Sequence, residues 1–388
     1  MSRFETHQEL IAAMMARQAA QPVIETKDID GVIRYMKSDK CKKIMVMAGA
    51  GISTSAGIPD FRTPGTGLYD NLAKLNLPYP QAVFELGYFR QNPQAFYTLA
   101  KELAPGRFRP TITHAFVKLL ADKDLLEVCY TQNIDTLERR AGVPPNAIIE
   151  AHGSFATQRC IECKRPFPDA TMAAHLRDGS IPRCQLDRLP PADDAKEHRD
   201  TAAESSETET DVCNGIVKPD IVFFGEPLPK AFFDGFPHTL EADLLLIMGT
   251  SLKVHPFADL ADMGVCPRVL INRDPAGDIG SNHDDVVLLM SCDDAVREIA
   301  RGMGWEEELD AVWAKTALAT SGAPAGETTV QQELERILEN VGNVVGKKEQ
   351  AQTEIVDDLA GSFAMLAVDR EERAAASGSP GAPALAQE

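Results

Sequence analysis

Over most of its length this 388-residue chain alternates short apolar runs with turn-rich or amphipathic stretches. The runs are Lys43–Ala48, Glu127–Thr131, Ala147–Glu150, Ile221–Phe224, Leu244–Met248, Val269–Asn272 and Val286–Met290. Each is bounded by turn residues and is short for a helix, so each reads as a strand. Leu244-Leu245-Leu246-Ile247-Met248 is apolar at every position, a pattern that fits cover on both faces. Helix-like stretches fill several gaps, as at Thr113–Lys123 and Thr136–Ala141. Strands alternating with helices at this spacing predict an α/β fold on a doubly wound parallel sheet.

Two segments break the rhythm. Residues 65–105, rich in Pro, Tyr and Phe, read as a helical excursion, and residues 158–214 carry four Cys and an acidic insertion, 185–212. Together they predict a smaller module beside the sheet. The expected order is an N-terminal extension (1–30), a main domain (31–300) and a C-terminal extension (301–388). Within that extension Val330–Val341 and Ile355–Val368 could form amphipathic helices, and Ala374–Glu388 has the composition of a disordered tail.

At 44% apolar the chain can bury a sizeable core, yet it has no run of 18 apolar residues to span a membrane. The net charge is −19, with −9 in residues 301–388 and −6 in 185–212. That balance does not attract nucleic-acid phosphates and suits a basic partner. Glu5 and Glu9 and the lack of an apolar h-region argue against a secretory leader, so a cytoplasmic setting is expected. Eight Cys in a reducing compartment mean metal before disulfide.

The run Lys43–Ala48 enters Gly49-Ala50-Gly51-Ile52-Ser53-Thr54-Ser55-Ala56-Gly57. Small residues at a strand's end let backbone approach a pyrophosphate, and a following helix start supplies free N–H donors. The turn is of the Rossmann type. Thr54 stands where a third glycine is usual, and no ribose-binding acid follows at the usual distance, which argues against a nicotinamide-dependent oxidoreductase.

Cys160-Ile161-Glu162-Cys163 is a metal knuckle, and Cys184 and Cys213 complete a candidate Cys₄ site. Lengthening the second spacer to the 28 residues of 185–212 costs roughly 2 kcal/mol of loop closure, against about 10–16 kcal/mol from structural zinc. One structural zinc ion is therefore expected, with His175 or His198 as substitute ligands. Cys41, Cys129 and Cys266 read as small apolar packing groups.

Gly49-Ala50-Gly51-Ile52-Ser53 and Gly57-Ile58-Pro59-Asp60-Phe61-Arg62 resemble blocks of the sirtuins, the NAD-dependent protein lysine deacylases. So do Thr131-Gln132-Asn133-Ile134-Asp135, His152-Gly153-Ser154, Lys218–Glu226, Gly249-Thr250-Ser251-Leu252 and Ile271-Asn272-Arg273. The blocks occur in family order over roughly residues 30–300. Gly67–Tyr69 through Leu77–Pro80 is most similar to the eukaryotic class I branch.

The resemblance implies a lysine deacetylase that releases nicotinamide and O-acetyl-ADP-ribose, with His152 as general base and Asn133 orienting ribose or water. It implies NAD contacts from Gly49, Ala50, Gly51, Ile52, Ser53, Ala56, Asp60, Phe61, Arg62, Gln132, Asn133, Ile134, Asp135 and His152. Gly249, Thr250, Ser251, Asn272, Arg273, Asp274 and Cys292 complete the nucleotide set. An acetyl-lysine protein segment would enter as an added strand between Val217, Phe224, Gly225 and Glu226 on one side and Val254 on the other. Mono-ADP-ribosyl transfer is the alternative on the same NAD site. The acid-acyl branch carries a Tyr-x-x-Arg pair after an Asn-Pro; here Asn92-Pro93 leads to Ala100 and Leu103. Neutral acyl groups are expected over succinyl, whose carboxylate would lack partners.

Overall fold

The computed structural model describes residues 22–59, 77–103, 106–187 and 212–317. Six expected strands return within one residue at each end, with β1 Ile44–Ala48, β2 Leu126–Thr131 and β3 Ile148–Glu150 coming first along the chain. Two further strands, β4 Gly153–Cys160 and β5 Val217–Ile221, stand apart, and β6 Leu244–Met248, β7 Arg268–Asn272 and β8 Val286–Leu289 follow. The main sheet has the order β3-β2-β1-β6-β7-β8 with every pairing parallel. The chain thus starts at the centre, builds outward to β3, then crosses back beside β1. This reversal puts a crevice outside the carboxyl ends of β1 and β6, where such sheets bind ligands.

Both faces are covered, which is why these strands read as continuous apolar runs. Ile44, Val46 and Ala48 face one core, with the helices Ile29–Met36, Ile112–Asp122 and Cys292–Met303. Met45 and Met47 face the other, with Phe232, Phe257 and Leu260. Cys41, Cys129 and Cys266 are buried in these cores as expected.

One expected strand needs correction. Ile221–Phe224 is not part of the main sheet; β5 lies earlier, at Val217–Ile221, and pairs antiparallel with β4 in a separate ribbon. The apolar run misleads because Phe223 is buried in the small module while Phe224 points out, and the chain turns at Gly225 with φ +90°. The sequence pattern missed β4 because its polar residues alternate between exposed and buried.

The small module joins this ribbon to the helices Leu86–Gln91, Pro93–Leu103 and Asp169–Asp178. Phe223 stacks edge-on against Phe89 at 5.4 Å and tilts against Phe96 at 5.2 Å. The packed body runs past residue 300: helix Glu306–Ala314 buries Leu309 fully, and Trp313 donates to Pro110 O over 2.9 Å. Val330–Val341, Ile355–Val368, the tail from 374, and most of the acidic insertion lie outside the described residues.

Candidate active site

Three glycines bring β1 and β6 together at their carboxyl ends. A Cβ on Gly51 would meet Gly249 Cα at 2.6 Å, and one on Gly49 would meet Gly249 O at 2.7 Å. Gly249 itself has φ +62° and accepts the Gly51 N–H at 2.8 Å. The loop Ala50–Ala56 that follows is two short 3₁₀ turns, not the start of a long helix. Here Gly is required because the two backbones pack directly on each other, which draws the loops after β1 and β6 together at the crevice.

After β2 the chain presents Gln132, Asn133 and Asp135. Asn133 is buried and donates Nδ2–H to Gly49 O at 3.2 Å and to Ser53 Oγ at 3.3 Å. Ser53 passes its own proton to Asp135 Oδ2 at 2.7 Å, and Asp135 Oδ1 caps Leu137 N–H at 2.9 Å. Asp135 thus acts as an acceptor on both oxygens, and its position is fixed twice. Gln132 Nε2 is buried and has no hydrogen-bond partner among the described residues. An orphaned amide donor beside the glycine cradle fits a polar ligand such as a nucleotide ribose.

His152 leaves β3 and precedes β4. Its Nδ1 lies 3.0 Å from the Gln132 carbonyl oxygen, which can only accept, so Nδ1 carries the proton. Nε2 is left with its lone pair. The His152 carbonyl accepts Val222 N–H at 2.8 Å, and its ring packs 6.4 Å from Phe257. Burial holds the imidazole below its usual pKa against the raising effect of the Gln132 carbonyl. It is therefore a neutral base at neutral pH. Gly153 has φ +63°, and a Cβ there would strike Asp220 O at 1.8 Å.

On the far side of β6, Thr250 is buried and Ser251 exposed. Asn272 Nδ2 donates to Asp274 O at 2.8 Å, and Arg273 and Asp274 are exposed. Cys292 opens the Cys292–Met303 helix, and burial pushes its thiol up to about 12. Asp60, Phe61 and Arg62 lie outside the described residues.

The expected groove is partly assembled. Phe224 is exposed and bridges Glu85, its N–H on Phe84 O at 2.8 Å. Glu226 accepts Phe223 N–H at 2.9 Å and pairs with Lys218 at 3.0 Å, which fixes the turn around Gly225. Val254 is half-buried. Val217 differs from the expectation: it is fully buried in the module core, so its side chain faces away from any groove. His255 pairs with Asp259 at 2.6 Å and stays outside the catalytic cluster.

The sequence reading missed Asp293. Its Oδ1 accepts Thr113 N–H at 2.9 Å and its Oδ2 accepts the Ser55 hydroxyl at 2.6 Å, so it ties the glycine loop to two helices. It also missed His114 and Glu138, buried behind Asp135. No local signal marks them, because the helices that carry them meet only in the fold.

Cys160, Cys163, Cys184 and Cys213 converge with all four sulfurs within 4.8 Å of one another. Cys160–Cys213 and Cys163–Cys184 sulfurs are each 3.7 Å apart. Disulfide sulfurs lie about 2.0 Å apart. Tetrahedral thiolates at about 2.3 Å from zinc lie roughly 3.8 Å from each other, so the set fits zinc. Burial pushes the Cys163 thiol up, but the Arg165 guanidinium and backbone N–H pull it further down, to about 6. Burial pushes Cys160 up to about 12 and Cys184 upward, so without a metal the thiolate sits on Cys163 rather than on those two. His175 instead meets Ser180 at 2.6 Å. The insertion does not open the site because its ends are clamped: Cys184 N–H reaches Gly215 O at 2.9 Å, and Cys213 N–H reaches Leu186 O at 2.8 Å.

Residues 49–256, just over half of the chain, match the profile of the Sir2 family. The chain belongs to the Sir2 family. It is 50% identical over 294 residues to the NAD-dependent protein deacetylase hst2-1 of Emericella nidulans, covering 75% of this chain and 74% of that protein. It is 48% identical over 299 residues to the NAD-dependent protein deacetylase hst2 of Schizosaccharomyces pombe, covering 76% and 82%. With the NAD-dependent protein deacetylase sirtuin-2 of Danio rerio it shares 42% over 335 residues, covering 79% and 81%. For this Sir2-family chain, the matched segment runs from the glycine cradle through the zinc ribbon to the loop after β6, so it spans most of the cluster described above.

Proposed function

We propose that this chain is an NAD-dependent protein lysine deacetylase. The observation that carries the reading is His152, kept neutral by burial and oriented through Nδ1 by the carbonyl of Gln132, which is next in sequence to an Asn133 that is bonded to the Gly49 carbonyl. The printed names of the relatives favour deacetylation over mono-ADP-ribosyl transfer.

NAD supplies a glycosidic carbon that accepts the acyl oxygen as nicotinamide leaves. Gly49, Gly51 and Gly249 through Ser251 hold its phosphates, with Asn272 and Arg273 toward the adenosine end. Asn133 and Asp135, locked through Ser53, orient the ribose and the nicotinamide amide. Gln132 Nε2 donates to the ribose. His152 Nε2 takes a ribose hydroxyl proton, and the Gln132 carbonyl steadies the imidazolium that results. The zinc ion is structural, because four thiolates leave no open position.

Acetyl-lysine protein segments are the substrates, entering beside Phe224 and Gly225 by backbone pairing. Ala100 is fully buried in an apolar module core, with Leu103 packed against it. Among the described residues, these two positions themselves offer a succinyl carboxylate no cation and no hydroxyl. Succinyl peptides should show kcat/KM at least about tenfold below acetyl peptides; equal values refute the acyl preference. Cytosolic action belongs to the same proposal, and fractionation tests it. The decisive assay is acetyl-peptide turnover with and without NAD, for wild type and His152→Ala. Turnover without NAD, or in the variant at the wild-type rate, overturns the reading.

A further inference from the structure

Behind Asn133 and Asp135 lies a polar cluster that the proposed chemistry does not use. The ring of His114 and the carboxylates of Asp135 and Glu138 lie within 4.8 Å of one another. His114 is 0% exposed and Glu138 is 2% exposed. His114 Nε2 and Glu138 Oε1 are buried with no hydrogen-bond partner among the described residues. Two orphaned polar atoms in one dry cluster, neither bonded to the other, call for a bridging group that can carry a proton between them, such as one buried water.

The outer ends of both side chains are tied into the catalytic wall. His114 Nδ1 meets Thr111 Oγ1 at 2.7 Å, and that hydroxyl reaches Ile52 O at 2.9 Å. The Thr131 hydroxyl hydrogen-bonds the Glu138 carboxyl and accepts Asn133 N–H at 3.1 Å. The cluster therefore grips the loop after β2 and the glycine loop together.

We propose that His114 and Glu138 share one proton through one bridging water, and that this proton positions Asp135 for the nicotinamide end of the site. With it present, and with His114 Nδ1 carrying the ring's own proton toward Thr111 Oγ1, the pair is neutral, and Asp135 keeps its Ser53 and Leu137 bonds. With it lost, a second buried carboxylate faces Asp135 and repels it. Both residues are positioning groups, acting through Asp135.

The surrounding charges agree. Burial, then the Asp135 carboxylate, pushes Glu138 up to about 8. Burial holds His114 below its usual value against Asp135 and Asp293. Glu138 also faces Glu150, Cys129 and Arg139. Arg139 is bound bidentately to Glu150 at 2.8 Å on both arms, and burial keeps the Cys129 thiol neutral. Asp293 is occupied by Thr113 and Ser55.

The role of Asp135 rests on the proposed NAD chemistry, whereas the proton does not, so the test has two arms on the full zinc-loaded chain. In the first, thermal melting compares wild type with Glu138→Gln between about pH 6.5 and 9. The stability of wild type relative to the variant should fall as pH rises toward about 8, then level off. A constant difference overturns the shared proton. In the second arm, calorimetry measures NAD affinity. Wild type should weaken about tenfold from about pH 7 to 9.5, and Glu138→Gln by less than about twofold. Parallel slopes overturn the positioning role even where the first arm succeeds. Should the variant not fold, wild type alone decides: NAD binding at about pH 8.5 should take up a large fraction of one proton, and no uptake overturns the proposal. A wild-type chain that binds no NAD at any pH overturns the functional reading and Asp135's role with it, and the melting arm still decides the proton. A second metal ion per chain, lost in Glu138→Gln, would show a cation in place of the proton and overturn it too.

Discussion

An imidazole works as a base only when it is neutral, aimed and reachable, and His152 gains each property from a different neighbour. The Gln132 carbonyl selects the tautomer, burial keeps the ring neutral, and the turn at Gly153, with φ +63°, fixes the path of the chain beside it. His152→Ala should lower kcat/KM by about 10²–10⁴-fold with little change in melting temperature. The base form is required, and the pKa is held below the usual His value. Activity should therefore fall on the acid side only below that usual value, which a pH–rate profile on acetyl peptide will show. A limb centred at or above the usual His value would assign the base elsewhere. For Glu138 the sign is opposite. Its folded pKa is raised above the unfolded carboxyl value, so its stabilising effect is full at low pH and is lost as pH rises through about 8.

Among elements, the crossover of β1 and β6 is the least tolerant. Gly51→Ala puts a methyl into Gly249 backbone, where no side chain can yield. NAD affinity should drop at least about tenfold, by calorimetry, and the melting temperature should fall as well. The β4–β5 ribbon depends on its metal. Cys184→Ser should release zinc in an elemental assay and melt the small module, with a loss of several kcal/mol by order of magnitude. Retained zinc with unchanged stability would contradict the Cys₄ assignment. β4 was invisible in the sequence pattern because its outer half alternates buried and exposed polar residues, and only Phe155 and Cys160 of it join the module core.

For the whole molecule, two cores flank the sheet, and the last described helix closes one of them. Leu309 is fully buried, and Arg109 stacks 3.7 Å from the Trp313 ring. Leu309→Ala should cost about 2–5 kcal/mol in denaturant unfolding, with kcat barely altered in the folded fraction. Ile299 and Ala300 form the core together with Leu309, although 300 looked like the end of the domain. The acidity beyond 301 obscured that: helix Glu306–Ala314 begins with Glu306, Glu307 and Glu308, and only Leu309 on it is fully hidden.

The six strands of the main sheet, the glycine turn, the cysteine knuckle and the order of the functional blocks were legible in sequence, because each is a local pattern of burial, size or spacing. Long-range juxtapositions were left to the tertiary structure. Ser53 reaching Asp135, Asp293 tying the glycine loop, and His114 facing Glu138 join residues that are 82, 238 and 24 positions apart. Those partners are decided by how a crossed-over sheet stacks its helices. The resulting low-dielectric setting, which no single segment carries, sets the charge of His152 and of the groups behind it.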